Sequence, residues 1–496
     1  MEREIQLQNI KKNDPWDIVI IGGGATGLGA ALDAATRGFK TLCIEKTDFS
    51  KGTSSRSTKL IHGGVRYLAQ GNISMVKSAL YERWFLLKNA PGVTKRIPFV
   101  LPVYNWISYL YYGLGLKLYN FLSGKLSIGN TQFLSKSELI EKIPDINQKS
   151  LKGGVLYFDG QFDDSQICVS LARTAIHYGA TVMNHMEAQS FIYSGQRVSG
   201  VQIKDGLTGE IYQVNSKVVI NATGVFVDQL IRKDNKDHKS IISPSQGIHL
   251  VVDKKFYTSE FALLIPKTTD GRVLFAVPWH DKVVIGTTDG KVDNISEEPI
   301  ATSQEIDFVL SNFNKYTLQQ LAKEDIKSIF AGLRPLVSMK DMQSTADLLR
   351  DHTILVSDTG LVSITGGKWT TYRKMAKDVI NKSIQVGGLP FVKCITKNVE
   401  VITQSLPVLS HDDVRLHPDY PYTTNDVLVA VKHEMACTLE DVLARRIRLL
   451  FMDAKVAVEV APMVCKVMQD ALSKDDHWYD EQLNTFNTLA KNYLTR

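Results

Sequence analysis

The sequence predicts an α/β protein with three parts: a domain built on a parallel sheet, a second domain with a mixed sheet interleaved with the first, and an all-α C-terminal domain. Three observations support this prediction. A strand, a glycine-rich turn and a helix follow one another near the start, apolar strands recur as far as residue 367, and helical spacing of apolar residues follows from residue 424. The 496 residues are enough for more than one domain.

The first unit, residues 18–45, has the pattern of a dinucleotide-binding βαβ crossover. The apolar run Ile18–Ile21 leads into Gly22-x-Gly24-x-x-Gly27, and a second apolar run ends at Glu45. Gly22 permits a tight turn, Gly24 lets the backbone approach a pyrophosphate, and Gly27 lets the helix pack closely on the strand, while Glu45 is placed to hold a ribose hydroxyl. These features predict a Rossmann-like domain; a merely structural glycine turn would leave Glu45 unexplained.

The remaining elements are predicted in chain order. Lys51–Tyr67 is a polar Gly/Ser/Thr loop, and Thr424–Leu472 has helical spacing of apolar residues. Short apolar runs predict strands, the last of which leads into a helix near Trp369: Lys217–Gly224, Gly247–Val252, Val273–Pro278, Lys282–Thr288, Thr353–Val356 and Leu361–Gly367. We expect one domain over residues 16–389, with a substrate-binding part at roughly 90–160 and 235–345, and a helical domain over 390–496.

Composition indicates a soluble globular protein of a reducing compartment. Hydrophobic residues make up 44% and charged residues 22% of the chain. The five cysteines are scattered without a CxxC pair, which argues against structural zinc and redox disulfides. Met1–Asp14 has no apolar signal region, and no apolar run reaches the roughly 20 residues of a spanning helix. We therefore expect a cytoplasmic protein without a metal.

The net charge of +6 is unevenly distributed. Residues 83–137 contain seven cations and no acid, and within them Trp106–Leu122 is rich in Tyr and Leu. Aromatic and aliphatic residues beside cations are typical of a segment that lies in a membrane interface. We predict a peripheral, monotopic protein that docks through segment 83–137 on the inner face of the cytoplasmic membrane. The alternative is a buried core helix; nucleic acid fits less well, because these aromatics lie among aliphatic residues.

Several segments together resemble the FAD-dependent, quinone-linked glycerol-3-phosphate dehydrogenase family, within the wider group of flavin amine and hydroxy-acid oxidases. They follow the family's order over most of residues 16–376, and HGGVRYL and GGKWTTYRKMA are the most specific: IVIIGGGATGLGAALDAATRG (18–38), TSSRSTKLIHGGVRYL (53–68), NATG (221–224), PWHDKVVIGTTD (278–289), AGLRPLV (331–337) and TGGKWTTYRKMA (365–376). Trp369 differs from the residue that is more common at this position of the family's last motif.

The resemblance implies a D-amino-acid-oxidase/glutathione-reductase-like fold, FAD as cofactor, and oxidation of sn-glycerol 3-phosphate to dihydroxyacetone phosphate with electrons passed to membrane quinone. It also makes a homodimer plausible. No second GxGxxG follows a strand, which argues against a nicotinamide as electron acceptor. The predicted cofactor-binding residues are Gly22, Gly24, Ala25, Thr26, Gly27, Glu45, Thr53, Ser54, Ser55, Ser57, Lys59, Leu60, His62, Gly63, Gly64, Ala222, Thr223, Gly224, Gly366, Gly367, Lys368, Trp369 and Thr370.

Alcohol oxidation needs a proton acceptor, and histidine suits this task at neutral pH. His249 and His62 both match family positions; we expect His249 to accept the proton and His62 to orient flavin or substrate, without a firm choice between them. A phosphate dianion favours arginine. The resemblance implies Arg334 in a catalytic and substrate-binding role, and substrate contacts from Arg66, Tyr67, Arg350 and Lys368. A surface ion pair with Asp347 or Asp351 is an equally good reading of Arg350.

Three other functions remain open. A soluble relative that reduces oxygen would form hydrogen peroxide without a quinone. An amine or 2-hydroxy-acid oxidase would need a carboxylate clamp and no phosphate. A membrane-associated scaffold that keeps FAD without turnover would use Arg445, Arg446 and Arg448 to bind a partner.

Overall fold

The computed structural model describes residues 1–65, 68, 71–337, 352–403 and 413–495. Its strands form two large sheets and a small hairpin. In chain order they are β1 Trp16–Ile21, β2 Thr41–Ile44, β3 Leu60–Ile61, β4 Thr94–Val103, β5 Gln132–Ser135, β6 Gly153–Phe162, β7 Thr181–Met183, β8 Met186–Ser194, β9 Arg197–Asp205, β10 Ile211–Asn221, β11 Ser245–Asp253, β12 Ala262–Ile265, β13 Leu274–Trp279, β14 Lys282–Gly286, β15 Gly290–Lys291, β16 Ile326–Arg334, β17 His352–Val356, β18 Val362–Gly366, β19 Arg415–His417 and β20 Tyr420–Thr423.

The helices described lie before, between and after these strands. They are Arg3–Lys11, Ala25–Thr36, Ile73–Asn89, Trp106–Ser123, Lys136–Lys142, Asp164–His177, Val227–Asp234, Ser303–Tyr316, Tyr372–Val386, Thr424–Glu434, Leu449–Met452, Ala454–Leu472 and Asp476–Ala490. A π-helical turn, Asp441–Arg446, precedes the helix Leu449–Met452. None of the helices in the described part of the chain is long and apolar enough to cross a membrane.

The first sheet is the predicted parallel, Rossmann-like one. Its order is β17-β18-β10-β1-β2-β7, and β1 runs parallel to both β10 and β2. The strands are almost wholly apolar because helices cover one face and an antiparallel β8–β10 extension covers part of the other. Ala25–Thr36 packs on the sheet beside Tyr372–Val386 and Asp164–His177. The carboxyl ends of β1, β2 and β10 therefore meet at one edge.

The second sheet is mixed, as predicted. Its order is β15-β11-β14-β13-β12-β4-β6-β3, with β16 on the other side of β11 and β5 on β6. The ladder between β11 and β16 pairs His249 with Phe330 and Ser245 with Arg334. These strands alternate in sequence with those of the first sheet, so the two domains are interleaved. The exact domain limits given above stay a prediction.

The helix Trp106–Ser123 packs only one face against the second sheet. Leu116 and Tyr119 are buried in that contact. The opposite face is exposed, which excludes the alternative of a fully buried core helix; its exposed apolar residues are Trp106, Ile107, Leu110, Tyr111, Leu114, Leu118 and Phe121. The prediction that Arg83 belongs to the basic surface is wrong. Its side chain is buried and forms an ion pair with Asp159 at 2.7 Å.

The C-terminal domain is helical apart from the β19–β20 hairpin. Its core contacts the second sheet through Trp279 and Phe330. The run Arg445-Arg446-x-Arg448 is buried, with Arg445 and Arg446 paired to Asp48 and Arg448 paired to Asp164. The scaffold hypothesis required these arginines to be exposed to a partner, and they are not.

Candidate active site

A deep cleft opens at the carboxyl edge of the first sheet, with about 1540 Å³ of space outside protein atoms when the part open to solvent is included. Many of the predicted cofactor-binding residues line it: Gly22, Gly24, Ala25, Thr26, Glu45, Thr53, Ser54, Ala222, Thr223, Gly224, Gly366, Gly367, Lys368 and Trp369. The others are not among the residues that line it: Gly27, Ser55, Ser57, Lys59, Leu60, His62, Gly63, Gly64 and Thr370.

The glycine-rich turn brings the start of helix Ala25–Thr36 against strand β10. A Cβ on Gly22, whose φ is +122°, would lie 2.5 Å from the carbonyl oxygen of Ala222. A Cβ on Gly27 would lie 1.8 Å from the carbonyl oxygen of Gly22. Gly27 thus sets the packing of helix on turn without reaching the cleft. The helix N-terminus, with its partial positive charge and free N–H groups, faces the space where a pyrophosphate would bind.

Glu45 lies just beyond the end of β2, at the edge of the cleft. Its carboxylate accepts hydrogen bonds from the backbone N–H groups of Gly23 at 2.6 Å and of Thr47 at 3.0 Å. Burial raises the pKa of the Glu45 carboxyl, and the hydrogen bonds from Thr47 and Gly23 oppose that rise. Hydroxyl donors from a bound ribose would further stabilise the charged form.

The cofactor loop, residues 48–59, forms one wall of the cleft. Ser54 Oγ accepts a hydrogen bond at 2.9 Å from the N–H of Ala25, at the helix N-terminus. The Ser54 carbonyl accepts one at 2.9 Å from the Trp369 indole, and Thr53 Oγ1 donates to the Leu333 carbonyl at 2.6 Å. The loop is therefore fixed to the helix, to the β18 end of the first sheet and to the second sheet.

The opposite end of the cleft is formed by the turn after β18. Gly366 and Gly367 have φ values of +79° and +73°, and a short 3₁₀ turn, Trp369–Thr371, leads into helix Tyr372–Val386. A Cβ on Gly367 would lie 2.5 Å from the Met375 sulfur. The turn presents backbone N–H groups and a helix start to the cleft, as expected for a site that stabilises a reduced flavin anion.

Lys59 lies in the core beneath the loop and not on the cleft. Its ammonium is completely buried, 2.8 Å from an Asp164 carboxylate oxygen and 2.7 Å from the Ser55 carbonyl. Burial lowers the pKa of Lys59 to about 7, although Asp164 opposes the shift. Ser57 likewise donates to Asp164, at 2.7 Å. The Lys59 side chain therefore does not reach the cleft, contrary to its predicted cofactor role. Its ammonium instead holds the loop from the core side, through Asp164 and the Ser55 carbonyl.

His62 and its neighbours follow β3 of the second sheet. The His62 side chain is exposed, and its carbonyl accepts a hydrogen bond from Thr370 Oγ1 at 3.2 Å. The Gly63 N–H donates to the Tyr119 hydroxyl at 2.8 Å. Tyr119 belongs to the helix Trp106–Ser123. Residues 62–63 therefore connect that helix to the turn after β18.

His249 lies on β11, buried, with its ring stacked on Phe330 at 4.7 Å between centroids. Its Nε2 is 2.8 Å from Thr58 Oγ1, and its Nδ1 is a buried atom without a hydrogen-bond partner in the described part of the chain. Burial, together with the charges of Lys59 and Arg334, lowers the pKa of His249 well below its usual value. The imidazole is therefore neutral at neutral pH, and its Nδ1 is buried beside the site.

Arg334 ends β16, and its guanidinium crosses to the next strand. It donates to Thr287 Oγ1 at 3.1 Å and lies 3.2 Å from an Asp289 oxygen. A Cβ on Gly247 would lie 2.4 Å from the guanidinium, so Arg334 covers β11 two residues before His249, on the same face of the strand. The following residue, Pro335, lines the cleft. Arg334 and His249 therefore share one face of β11 beside Pro335, and neither is among the residues that line the cleft.

Three predicted substrate-binding residues, Arg66, Tyr67 and Arg350, lie outside the described residues. Conversely, several cleft residues were missed by sequence reasoning. Met186, Glu187 and Ala188 reach the cleft from β8, and Lys46, Lys51, Gln229 and Lys233 line it as well. Residues 186–188 carry no motif; only the pairing of β7 beside β2 places them there. Lys46 and Lys51 flank the predicted Glu45 and Thr53, so proximity to those residues was a usable signal.

These residues fit FAD. The cleft offers a glycine turn at a helix N-terminus for the pyrophosphate, a carboxylate for a ribose, and a second N–H-rich turn at its other end. Glu45 has two backbone N–H partners and a raised pKa, which is the condition that ribose hydroxyls would relieve. The residues that would hold FAD are therefore Gly22 to Thr26, Glu45, Thr53, Ser54 and the turn at Gly366.

The chain matches known families over most of its length. Residues 17–373 match the family described as FAD dependent oxidoreductase, and residues 396–479 match the C-terminal domain of alpha-glycerophosphate oxidase. The human mitochondrial glycerol-3-phosphate dehydrogenase is 37% identical over 97% of this chain and 74% of its own length. The Arabidopsis thaliana mitochondrial enzyme of that name is 35% identical over 97% of this chain and 86% of its own.

Solved structures are also similar. The glycerol-3-phosphate dehydrogenase of Bacillus halodurans, complexed with FAD, has a TM-score of 0.80 and 27% identity over 100% of this chain and 98% of its own. The L-alpha-glycerophosphate oxidase of Mycoplasma pneumoniae, with FAD bound, has a TM-score of 0.60 at 16% identity over 79% of this chain and 99% of its own, a likeness of fold alone.

These matches confirm the predicted fold class and the predicted cofactor, FAD. They agree with the cleft geometry, in which the glycine turn and Glu45 lie where a dinucleotide binds. The chain therefore belongs to the FAD-dependent oxidoreductases and, among them, to the glycerol-3-phosphate dehydrogenase family.

Proposed function

We propose that the protein oxidises sn-glycerol 3-phosphate to dihydroxyacetone phosphate and passes the electrons to a membrane quinone. The single observation that supports the reaction is that the Arg334 guanidinium and the His249 ring share one face of β11, beside Pro335, which lines the cleft. The names of the relatives, which are glycerol-3-phosphate dehydrogenases, support the choice of substrate.

Arg334 is the described cation best placed to bind the phosphate. Its side chain is 31% exposed, and Asp289 and the Thr287 hydroxyl orient the guanidinium. A guanidinium held in this way presents a planar face of N–H donors, which suits two phosphate oxygens. We include Arg66, Tyr67, Arg350 and Lys368 in the proposed substrate site on the basis of the family resemblance.

His249 is the proposed proton acceptor. With Nε2–H donating to Thr58 Oγ1, Nδ1 carries the lone pair that would take the hydroxyl proton of the alcohol. The positive charge of Arg334 contributes to the low pKa of His249. A phosphate dianion bound to Arg334 would offset that charge and raise the pKa of His249 toward the range that suits a general base. Substrate binding would thus make His249 a better proton acceptor. The exposed His62 would orient flavin or substrate.

FAD, when bound, supplies the two-electron acceptor of the reaction. The protein's part is to hold the alcohol carbon near the flavin ring and to exclude water from the base. His249 is buried and stacked on Phe330, so bulk water has no direct access to its ring.

The exposed face of helix Trp106–Ser123 supports membrane docking and quinone as acceptor. Its apolar residues cover one side of the helix, with exposed fractions between 44% and 83%. Exposed cations lie around this helix, at Lys88, Lys95, Arg96, Lys117 and Lys125. An apolar face beside cations is the composition that inserts into an anionic membrane surface, where quinones dissolve. The inner face of the cytoplasmic membrane and a homodimer stay predictions.

The decisive experiment adds sn-glycerol 3-phosphate to the purified holoprotein without oxygen. We expect the visible flavin absorbance to bleach, and glycerol without phosphate to leave it unchanged, because Arg334 has no anion to bind in that case. Bleaching by amino acids or 2-hydroxy acids instead would contradict the substrate.

The electron acceptor is tested on the protein reduced in this way. A quinone analogue should restore the flavin colour faster than air-saturated buffer does. Hydrogen peroxide formed in step with substrate turnover, without quinone, would identify an oxidase and contradict the proposed acceptor.

A further inference from the structure

The cofactor loop, residues 48–59, has little regular structure of its own. Apart from one 3₁₀ turn, Thr53–Ser55, it forms no helix or strand, and Ser50 and Lys59 both have φ values of +63°. Yet Ser50, Lys51, Gly52, Thr53 and Ser54 line the FAD cleft. A segment of this kind keeps one conformation only when contacts with other parts of the protein replace the backbone hydrogen bonds that a helix or strand would have.

The start of the loop is bound by two arginines of the C-terminal domain. The Asp48 carboxylate is completely buried; Arg445 Nε donates to it at 2.5 Å, and Arg446 donates through two nitrogens at 2.7 and 2.9 Å. Asn184 donates to the same carboxylate at 2.9 Å. Asp48 is three residues after Glu45, so these contacts fix the chain where it leaves β2.

The middle and the end of the loop are bound by the same domain. Lys51 pairs with Glu440, which also pairs with Arg445. Arg448 donates to the Ser55 carbonyl and to Asp164, both at 3.0 Å. Arg448 itself has a φ of +62° and lies 4.4 Å over the Phe451 ring. Its conformation is thus also held within the C-terminal domain.

We propose that the C-terminal domain keeps the cofactor loop in its FAD-binding conformation, with Arg445, Arg446 and Arg448 as positioning residues. The loop lies between the cleft on one side and these three buried guanidinium groups on the other. None of the three lines the described cleft, so they act on FAD through Ser54 and Thr53 rather than by contact. The domain is in this sense part of the cofactor site, although it begins more than 360 residues after the glycine turn.

The test is the rate of FAD release from the holoprotein after dilution, followed by the increase in flavin fluorescence. Arg448→Met is the informative variant because Asp164 keeps Lys59 as a counter-ion, 2.8 Å away, and Asp163, 3.8 Å from Arg448, keeps hydrogen bonds from the backbone N–H groups of Ser165 and Gln166. Losing one charge-assisted hydrogen bond to the loop should accelerate release by about tenfold or more. Because no substrate is added, the result is independent of the proposed reaction.

Lys327→Gln is the matched control. The Lys327–Asp453 pair, at 3.3 Å, joins the second sheet to the C-terminal domain and includes no residue that contacts the cofactor loop. Thermal unfolding is followed by circular dichroism for both variants. We expect both to lower the melting temperature and only Arg448→Met to accelerate FAD release.

Two outcomes overturn the proposal: unchanged release from Arg448→Met, or equal acceleration in Lys327→Gln, which would indicate general loosening. If Arg448→Met fails to fold, Glu440→Gln decides the question. Glu440 is 22% exposed in its side chain and contacts Lys51 from the C-terminal side. Release from Glu440→Gln at the wild-type rate would then refute the proposal.

Discussion

The exposed face of helix Trp106–Ser123 gives the most quantitative prediction. We replace Leu110, Leu114 and Phe121 by Gln in one variant. Their exposed fractions are 60%, 64% and 79%, and none belongs to the buried face of the helix. Gln is a good helix former, so the helix itself should persist. The triple variant should lose binding to vesicles that contain anionic lipid.

The magnitude follows from the exposed area. Full transfer of a Leu or Phe side chain from water to apolar surroundings contributes about 1.5–3 kcal/mol. Because most of each of these three side chains is exposed, their insertion together contributes about 3–6 kcal/mol. At about 1.4 kcal/mol per tenfold change, the partition coefficient should fall by roughly a hundredfold or more.

A matched control uses apolar side chains of similar exposure elsewhere on the surface. Ile211, Leu318 and Phe391 are 59%, 56% and 75% exposed. Their triple Gln variant carries the same number of polar substitutions outside the proposed docking surface. Vesicle sedimentation measures binding of wild type, test variant and control, and turnover with a soluble electron acceptor checks that both variants keep an intact active site.

The reasoning is refuted if the test variant sediments with vesicles as well as wild type does. It is also refuted if the control variant loses binding equally, because hydrophobicity in general would then explain the effect. If the test variant still reduces quinone in membranes although it no longer binds vesicles, electron transfer does not require this docking surface.

Three further predictions concern the site itself. Arg334→Ala should raise KM for sn-glycerol 3-phosphate about tenfold or more with the flavin content unchanged, and kinetics like those of wild type would show the phosphate site to be misplaced. Gly27→Ala should yield protein without FAD, because its Cβ would lie 1.8 Å from the Gly22 carbonyl oxygen. Gly290→Ala is the control, since no atom lies within 4 Å of its new Cβ, and it should retain FAD. Visible absorbance measures the FAD content of both variants. Burial lowers the pKa of Lys59 from 10.5 to about 7, so between these pH values the unfolded chain binds a proton that the folded protein does not. The free energy of unfolding should therefore rise with pH in wild type relative to Lys59→Met, and equal slopes in denaturant titrations would contradict this.

Local pattern was enough to predict the nucleotide-binding half of the site. Gly22, Gly24 and Glu45 could be assigned because a glycine turn between a strand and a helix restricts the backbone within a few residues. The apolar runs likewise predicted β1, β2, β10, β17 and β18 of the first sheet and β11, β13 and β14 of the second. Whether the Trp106–Ser123 helix is buried or exposed stayed open, since its sequence is compatible with either environment.

Sequence reasoning was least reliable for side chains whose surroundings come from distant parts of the chain. Lys59 belongs to a motif that resembles a cofactor loop, yet its ion pair with Asp164 holds the ammonium in the core, away from the cleft. Arg83 was counted among surface cations, but Asp159 on β6 pairs with it in the interior. In both cases a single partner far along the chain decides between a solvated charge and a buried one.

By itself, the sequence predicted the fold class and a dinucleotide site at Gly22, Gly24 and Glu45, because these depend on short-range geometry that a few glycines and one carboxylate specify, and its resemblance to a known family implied FAD. Only the tertiary structure decided that Met186 to Ala188 enter the cleft, that His249 and Arg334 share one face of β11, and that Arg448 bonds to Ser55, 393 residues earlier in the chain. Such contacts depend on strand pairing and domain packing, where the free energy of burial is shared among residues that no local pattern connects.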